Sequence, residues 1–162
     1  MTATDTLSVT FAILLGKGRE VTEDALPDVI TSEPGSFDVS YQQEGRLYIT
    51  AGEAIYVAED PLFFMIPSLC FDAVVKLTAG KSIPYASWSS PEKISLDVTG
   101  DTITISGEDM DPQSFARDDL LKALLAAGQR FRTSAAQIWP ADSEEDRNSL
   151  GPRAETAKAA LS

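Results

Sequence analysis

The sequence predicts an α+β protein in which one antiparallel sheet, built of hairpins, carries two main helices on one face. Three observations lead to this class. Several short runs alternate apolar and polar residues, which is the period of a half-buried strand. Residues 62–79 and 118–138 form longer segments that are apolar at helical spacing. Turn residues such as Thr99-Gly100-Asp101 separate the shorter runs. Helices gathered on one face of an antiparallel sheet bury both kinds of stripe in the simplest way.

The first sixty residues are predicted to be mainly strands. Alternation predicts strands at residues 7–15, 37–41, 47–49 and 54–58. Gly16-Lys17-Gly18 ends the first strand, and Gly52 marks the turn before the last one. Gln43-Glu44-Gly45 is the predicted turn of a hairpin between the middle two. Residues 19–35 are acidic and interrupted by prolines, which predicts a loop with a helical turn.

A helix is predicted over residues 62–79. Asp60-Pro61 suits an N-cap followed by proline at the first helical position. Gly80 suits the C-terminal cap. Pro67 is expected to split or delay the helix, because its nitrogen has no hydrogen to donate. The reliable portion is therefore Ser68–Ala79, which we expect to be buried under the sheet.

The second half is predicted to repeat the order of strands followed by a helix. Alternation predicts strands at residues 83–88, 94–98 and 103–105, the last two forming the clearest hairpin. Residues 108–112 are predicted to be a loop. A helix begins at Asp118 or Asp119, where acidic side chains favour the N-terminus, and Pro140 ends it. Its predicted apolar stripe consists of Leu121, Leu124, Leu125, Gly128, Phe131, Ala135 and Ile138.

The domain organisation follows from length and composition. The chain has 162 residues, of which 43% are hydrophobic and 23% charged, values typical of one globular domain. We predict a single α+β domain over residues 1–139. Residues 140–162 are predicted to be a polar C-terminal extension, in which the alanine-rich stretch 154–161 can form a short helix.

The charge is the most informative property of the composition. The chain holds 25 acidic and 13 basic side chains and no histidine, a net charge of −12. Residues 1–116 hold 18 of the acidic and 6 of the basic side chains. Nucleic acids and anionic membrane surfaces need a positive footprint, so neither is expected as a partner. A basic protein, in contrast, is attracted by such a charge.

Neither an export signal nor a membrane span is recognisable. No basic residue precedes the first apolar run, as a signal peptide requires. No run approaches the roughly 20 apolar residues of a membrane-spanning helix. Cys70 is the single cysteine, so no disulfide forms within the chain, which fits a reducing compartment. We therefore expect a cytoplasmic protein.

The residue inventory excludes most kinds of active site. Without histidine there is no Ser-His-Asp or Cys-His catalysis and no histidine zinc site. One cysteine excludes thiolate zinc and iron–sulfur centres. Cys70 lies in an apolar run and is expected to be an inert core thiol. Gly80-Lys81-Ser82 lacks the first glycine of a phosphate-binding loop, since Val75 stands there. We predict a non-catalytic protein without metal or cofactor.

The predicted partner-binding residues are Glu108, Asp109 and Asp111. They cluster on the predicted loop between the clearest hairpin and the last helix, and loops on a rigid scaffold are frequent binding sites. A solvated turn and a calcium site are the alternatives, although the calcium-loop pattern is incomplete. Trp88 and Trp139 are candidate interface anchors. Their alternative role is to cap the edges of the core.

In general type the chain resembles the immunity proteins of bacterial polymorphic toxin systems. The resemblance lies in the charge of −12, the absence of histidine, and the Ile94–Ile105 hairpin followed by the Asp118–Ile138 helix. It implies an acidic protein that neutralises a basic partner such as a nuclease toxin. The order of elements in residues 37–138 also resembles that of acidic secretion chaperones, which are dimers. A small carboxylate-using enzyme or ligand binder is the remaining alternative.

Overall fold

The fold is α+β, as predicted, but its strands form two antiparallel sheets instead of one. The computed structural model describes residues 7–86, 93–107, 110–142 and 150–162. Each sheet has four strands, and buried side chains of both sheets belong to one continuous hydrophobic cluster. Local alternation identifies a strand but not its sheet, because sheet membership depends on pairing between distant residues.

The first sheet has the strand order β2-β1-β3-β4. Its strands are β1 (Leu7–Leu15), β2 (Arg19–Thr22), β3 (Glu44–Ala51) and β4 (Ala54–Pro61). The β3–β4 hairpin turns at Gly52, whose φ of 60° suits a residue without a side chain. Strand β1 pairs with β3 over Leu7–Ile13, whereas β2 covers only the Ala12–Leu15 half of its other edge.

The second sheet has the order β5-β6-β7-β8. Its strands are β5 (Ile83–Ala86), β6 (Lys93–Thr99), β7 (Thr102–Gly107) and β8 (Met110–Ala116). The predicted β6–β7 hairpin is present, and its turn contains Gly100 at a φ of 58°. The loop prediction for residues 108–112 is wrong from Met110 onwards, because these residues begin β8. Proline is compatible with this strand because β8 is an edge strand.

The helices occupy two stretches of the chain and a short early segment. They are α1 (Leu26–Ser32), α2 (Leu62–Ile66), α3 (Ala73–Thr78), α4 (Arg117–Ile138) and α5 (Leu150–Leu161). A π-helical segment, Pro67–Asp72, joins α2 to α3 and is called the π segment below. The predicted disturbance at Pro67 is thus present, because the wider helical turn accommodates a residue that cannot donate. Gly80, with a φ of 82°, follows the helix end as expected.

Two predicted features near the first helix are wrong. Asp60 is not an N-cap: it ends a strand, is fully buried and accepts a hydrogen bond from the Tyr85 hydroxyl. The predicted strand at residues 37–41 is an irregular segment ending in a 3-10 turn, with Val39 and Tyr41 exposed. Buried Gln43 holds this segment, because its side chain accepts from Asp38 N–H at 2.8 Å and donates to the Leu14 carbonyl at 2.6 Å.

The core is centred on aromatic side chains from three elements. The Phe131 ring on α4 meets Phe11 of β1 and Phe63 of α2 edge to face, at 5.5 and 5.4 Å between ring centroids. Trp139 packs on Phe63 in the same way and is buried. The predicted stripe of α4 faces this core, with Leu125 and Ile138 only half-buried at its margin.

The C-terminal residues contain the helix that the alanine-rich stretch predicts. Helix α5 begins earlier than expected, at Leu150, and buries Leu150, Ala154 and Ala157 in the common cluster. Arg153 donates from Nε to Asp72 of the π segment at 3.0 Å. Arg132 of α4 also lies 3.4 Å from Glu155. Helix α5 is therefore attached to both preceding helical elements by packing and by ion pairs.

Candidate functional site

Arg46 organises the outer face of the first sheet. It donates from Nε to Glu59 on β4 at 2.8 Å and from Nη1 to Glu20 on β2 at 2.9 Å. Ala12 lies beside it on the central strand, and a methyl side chain there leaves room for the guanidinium. The two ion pairs therefore link three neighbouring strands across the solvent-facing surface.

Tyr48 extends this network towards the edge of the sheet. Its hydroxyl donates to Glu20, and this hydrogen bond is the main reason that the pKa of Glu20 lies below its usual value. Partial burial, followed by the Glu20 carboxylate, raises the pKa of Tyr48 itself. Near neutral pH the phenol consequently remains a donor and the carboxylate an acceptor.

A cleft of about 580 Å³ opens beside Tyr48, where β2 ends. We call it the β1 edge cleft. Its walls come from three strands, from the residues after β2 and from α4. The lining residues are Thr10, Phe11, Ala12, Thr22, Glu23, Asp24, Tyr48 and Arg130.

The polar groups of the cleft favour a cationic guest. Among the described residues the Asp24 carboxylate has no hydrogen-bond or ion-pair partner, and it is exposed. The Tyr48 ring offers an aromatic wall, and Thr10 and Thr22 carry hydroxyl oxygens that can accept hydrogen bonds. An ammonium or guanidinium group entering the cleft would thus meet one free carboxylate and several neutral acceptors.

An ion pair closes one side of the cleft and binds the edge of β1 directly. Arg130 donates to Glu23 at 2.7 and 3.3 Å and to the Val9 carbonyl at 2.7 Å. Glu23 in turn accepts from Phe11 N–H at 3.2 Å. We call Glu23 and Arg130 the edge pair. Since its charges balance, Asp24 leaves this corner of the molecule with an excess negative charge.

The charge is distributed unequally between the first sheet and the helical side. Residues 7–61, which form the first sheet and α1, hold ten acidic and three basic side chains. Among the described residues, four exposed carboxylates of this region have no ion-pair partner: Asp24, Asp28, Asp38 and Glu53. Lysines outside ion pairs occur mainly on the helices, at Lys76, Lys122 and Lys158. The first sheet is therefore the more acidic part of the molecule.

The structure locates only part of the site predicted from the sequence. Asp111 is exposed near the start of β8, and its main-chain carbonyl accepts a hydrogen bond from the Tyr56 hydroxyl. Glu108 and Asp109 lie outside the described residues, as does Trp88. Trp139 is buried against Phe37 and Phe63 and donates from Nε1 to the Asp38 carbonyl at 2.8 Å. Trp139 therefore belongs to the core margin, its alternative role.

The edge pair and the β1 edge cleft were missed by sequence reasoning. Glu23 and Arg130 are 107 residues apart, and no local pattern connects them. The available signal was weak: Arg130 is a charged residue adjacent in sequence to the buried Phe131 of the apolar stripe. Such a residue lies at the helix margin, where it can reach a neighbouring strand.

Several further features complete the chemical description. Cys70 is fully buried, and burial raises the pKa of its thiol to about 12. Within the described residues, no three His, Cys, Asp or Glu side chains are grouped to hold a metal ion. None of the helices described combines the length and apolar composition needed to cross a membrane. No known protein family, curated protein or solved structure matches the chain.

Proposed function

We propose that this protein is a non-catalytic acidic binding protein that neutralises a basic protein partner, in the manner of an immunity protein. The observation that carries the proposal is the concentration of negative charge on the first sheet, next to a cleft that contains the free Asp24 carboxylate. The partner in this proposal is a cytoplasmic protein, for example a nuclease toxin, and not a nucleic acid or a membrane.

The charge supports recognition as well as fast association. Carboxylates concentrated on one side of a molecule raise the local concentration of a cationic partner and orient it before contact. The β1 edge cleft offers a place where one lysine or arginine of the partner loses its water and finds Asp24. Charge-assisted hydrogen bonds of this kind are stronger than those between neutral groups.

The primary test is identification of the partner followed by kinetics. A pull-down from the source cells identifies the bound protein, and its association and dissociation rates are then measured from low to high salt. We expect a basic protein whose association slows as salt rises, while dissociation changes less, because screening acts over about 8 Å at physiological ionic strength. An acidic partner, or rates indifferent to salt, would contradict the proposal.

Charge-neutralising variants compare the two candidate surfaces. Asp24→Asn removes the free carboxylate of the cleft, and a Glu108/Asp109/Asp111→Ala variant removes the acidic group near β8. Glu155→Gln on α5 is a matched control, because it removes one negative charge from the helical side. We expect Asp24→Asn to raise the dissociation rate more than the control does. If only the triple variant weakens binding, the partner contacts the β8 region instead.

A further inference from the structure

We infer that the open edge of β1 is a docking site for an extended segment of the basic partner, which adds to the first sheet as a strand beside Leu7–Phe11. This inference rests on the proposed function, since the segment belongs to the same partner. It assigns a mode of binding, main-chain pairing, to a surface that otherwise offers only charge.

The first ground is the unequal cover of the two edges of β1. Strand β3 pairs with β1 from Leu7 to Ile13, but β2 reaches only from Leu15 to Ala12. Main-chain groups in an antiparallel ladder alternate between the two edges. Because Val9 and Phe11 direct polar groups to the β2 side, Leu7 does so as well. Among the described residues, no strand lies beside this part of the edge.

The second ground is that the edge pair stands in for the missing strand. Continuing the register of β2 would place Glu23 opposite Phe11. The main chain of Glu23 has left the sheet, and its carbonyl accepts instead from Leu26 N–H at 3.3 Å. Its carboxylate takes the Phe11 N–H, and Arg130 supplies a donor to the Val9 carbonyl. Two ladder bonds are thus replaced by side chains, which can swing aside and an added strand can replace.

The third ground is the charge around this lane of the sheet. In an added strand every second side chain points to the outer face, where Thr10, Asp24 and Tyr48 line the β1 edge cleft. Lysine or arginine at alternate positions would place its charge there. A second copy of this chain fits poorly, because each copy carries a charge of −12. Added strands gain affinity from the main chain and specificity from alternate side chains.

The experiment uses a short blocked peptide of alternating lysine and threonine as the probe. Its matched control is the same peptide with every main-chain nitrogen methylated, which preserves the charge but removes all main-chain donors. Binding to the full chain is followed by nuclear magnetic resonance. We expect the unmethylated peptide to bind more tightly, and to slow hydrogen exchange at the Val9 amide, which faces the open edge.

Two arginine variants test whether the edge pair competes with the added strand. Arg130→Ala removes the side-chain donor to Val9 and a positive charge, so the unmethylated peptide should bind roughly three- to tenfold more tightly. Arg132→Ala removes the same charge from the same helix, but Arg132 contacts Gln129 and Glu155 instead. This control should change the affinity less.

Three results overturn strand addition: equal binding of the two peptides, unchanged exchange at Val9, or an equal response of the two arginine variants. Lack of binding by either peptide at its solubility limit also overturns it. The proposed function fails separately, if the partner captured from cells is acidic or binds independently of salt. A basic partner that binds without protecting Val9 removes the added strand and leaves the proposed function in place.

Discussion

Gly128 marks the closest approach between α4 and the π segment. A Cβ atom at this position would lie 2.5 Å from Cε1 of Phe71 and 2.8 Å from Cβ of Cys70. The absence of a side chain therefore allows the helix to pack directly on these two residues. The sequence placed Gly128 correctly in the apolar stripe, but the reason for a glycine there is a contact with a segment more than fifty residues earlier.

Gly128→Ala should destabilise the protein by about 1–3 kcal/mol, because the added methyl group overpacks this contact. The usual effect of this substitution in a helix is the opposite, a gain of about 1 kcal/mol. Urea unfolding followed by circular dichroism measures the change. Gly35→Ala is the control, since a Cβ there has open space. A Gly128→Ala variant that is more stable than the wild type would show that the helices separate at no cost.

The buried thiol of Cys70 makes stability depend on alkaline pH. Its pKa is raised to about 12 in the folded protein, against about 8.5 for an exposed cysteine. The unfolded chain therefore loses this proton first as pH rises, and the stabilisation present below about pH 8.5 is progressively lost up to pH 12.

We expect the wild type to lose roughly 2 kcal/mol more than Cys70→Ala when pH rises from about 8 to about 10. Urea unfolding of both proteins at each pH gives this difference, and a common loss from other groups cancels. Equal losses would mean that the thiol ionises without unfolding. A thiol reagent gives an independent check, because native Cys70 should react only as fast as the protein opens.

At the scale of elements, predictions succeeded where structure is determined locally. Helix α4 was predicted almost to its ends, because an apolar stripe of helical period and a terminating proline lie within one segment. The β6–β7 hairpin was recognised from alternation around a short turn. Strand β8 was missed because Asp111 and Pro112 resemble a loop. The residue 37–41 segment alternates like a strand, but its conformation is fixed by the distant residues Gln43 and Trp139.

Leu124→Ala tests the assigned face of α4. The Leu124 side chain is fully buried, so its truncation should cost about 2–5 kcal/mol of unfolding free energy. Leu125→Ala is the matched control, because the neighbouring leucine is only half-buried and should cost clearly less. Thermal or urea unfolding measures both variants. A loss below about 0.5 kcal/mol for Leu124→Ala would show that the helix face is wrongly assigned.

For the whole molecule, the net charge was readable from the sequence but its distribution was not. Counting residues indicated an acidic N-terminal part, and the fold then concentrated that charge on the first sheet and α1. The β1 edge cleft depends on Tyr48, Asp24 and Arg130, which only the tertiary fold brings together. A candidate site assembled from three distant segments leaves no local pattern, so composition predicted the class of partner and not the place where it binds.

The charge of −12 should also make the folded protein more stable as salt rises. Like charges repel more strongly in the compact state than in the unfolded chain. Exposed ion pairs such as Arg19–Glu33 contribute little that screening could remove. We expect the melting temperature to increase with sodium chloride up to about 0.3 M, as the Debye length shortens. Differential scanning calorimetry measures this, and a falling melting temperature would mean that attractive pairs dominate.

The position of α4 in the chain has a consequence for folding during synthesis. Its residues close contacts with the beginning of the chain, for example from Arg130 to Val9, 121 residues away. Until α4 emerges from the ribosome, Phe11 and Phe63 lack the Phe131 ring that covers them. The nascent first sheet therefore presents an uncovered apolar face and an open edge to the cell. Such chains are aggregation-prone, and we expect this one to engage ribosome-associated chaperones until α4 has been made.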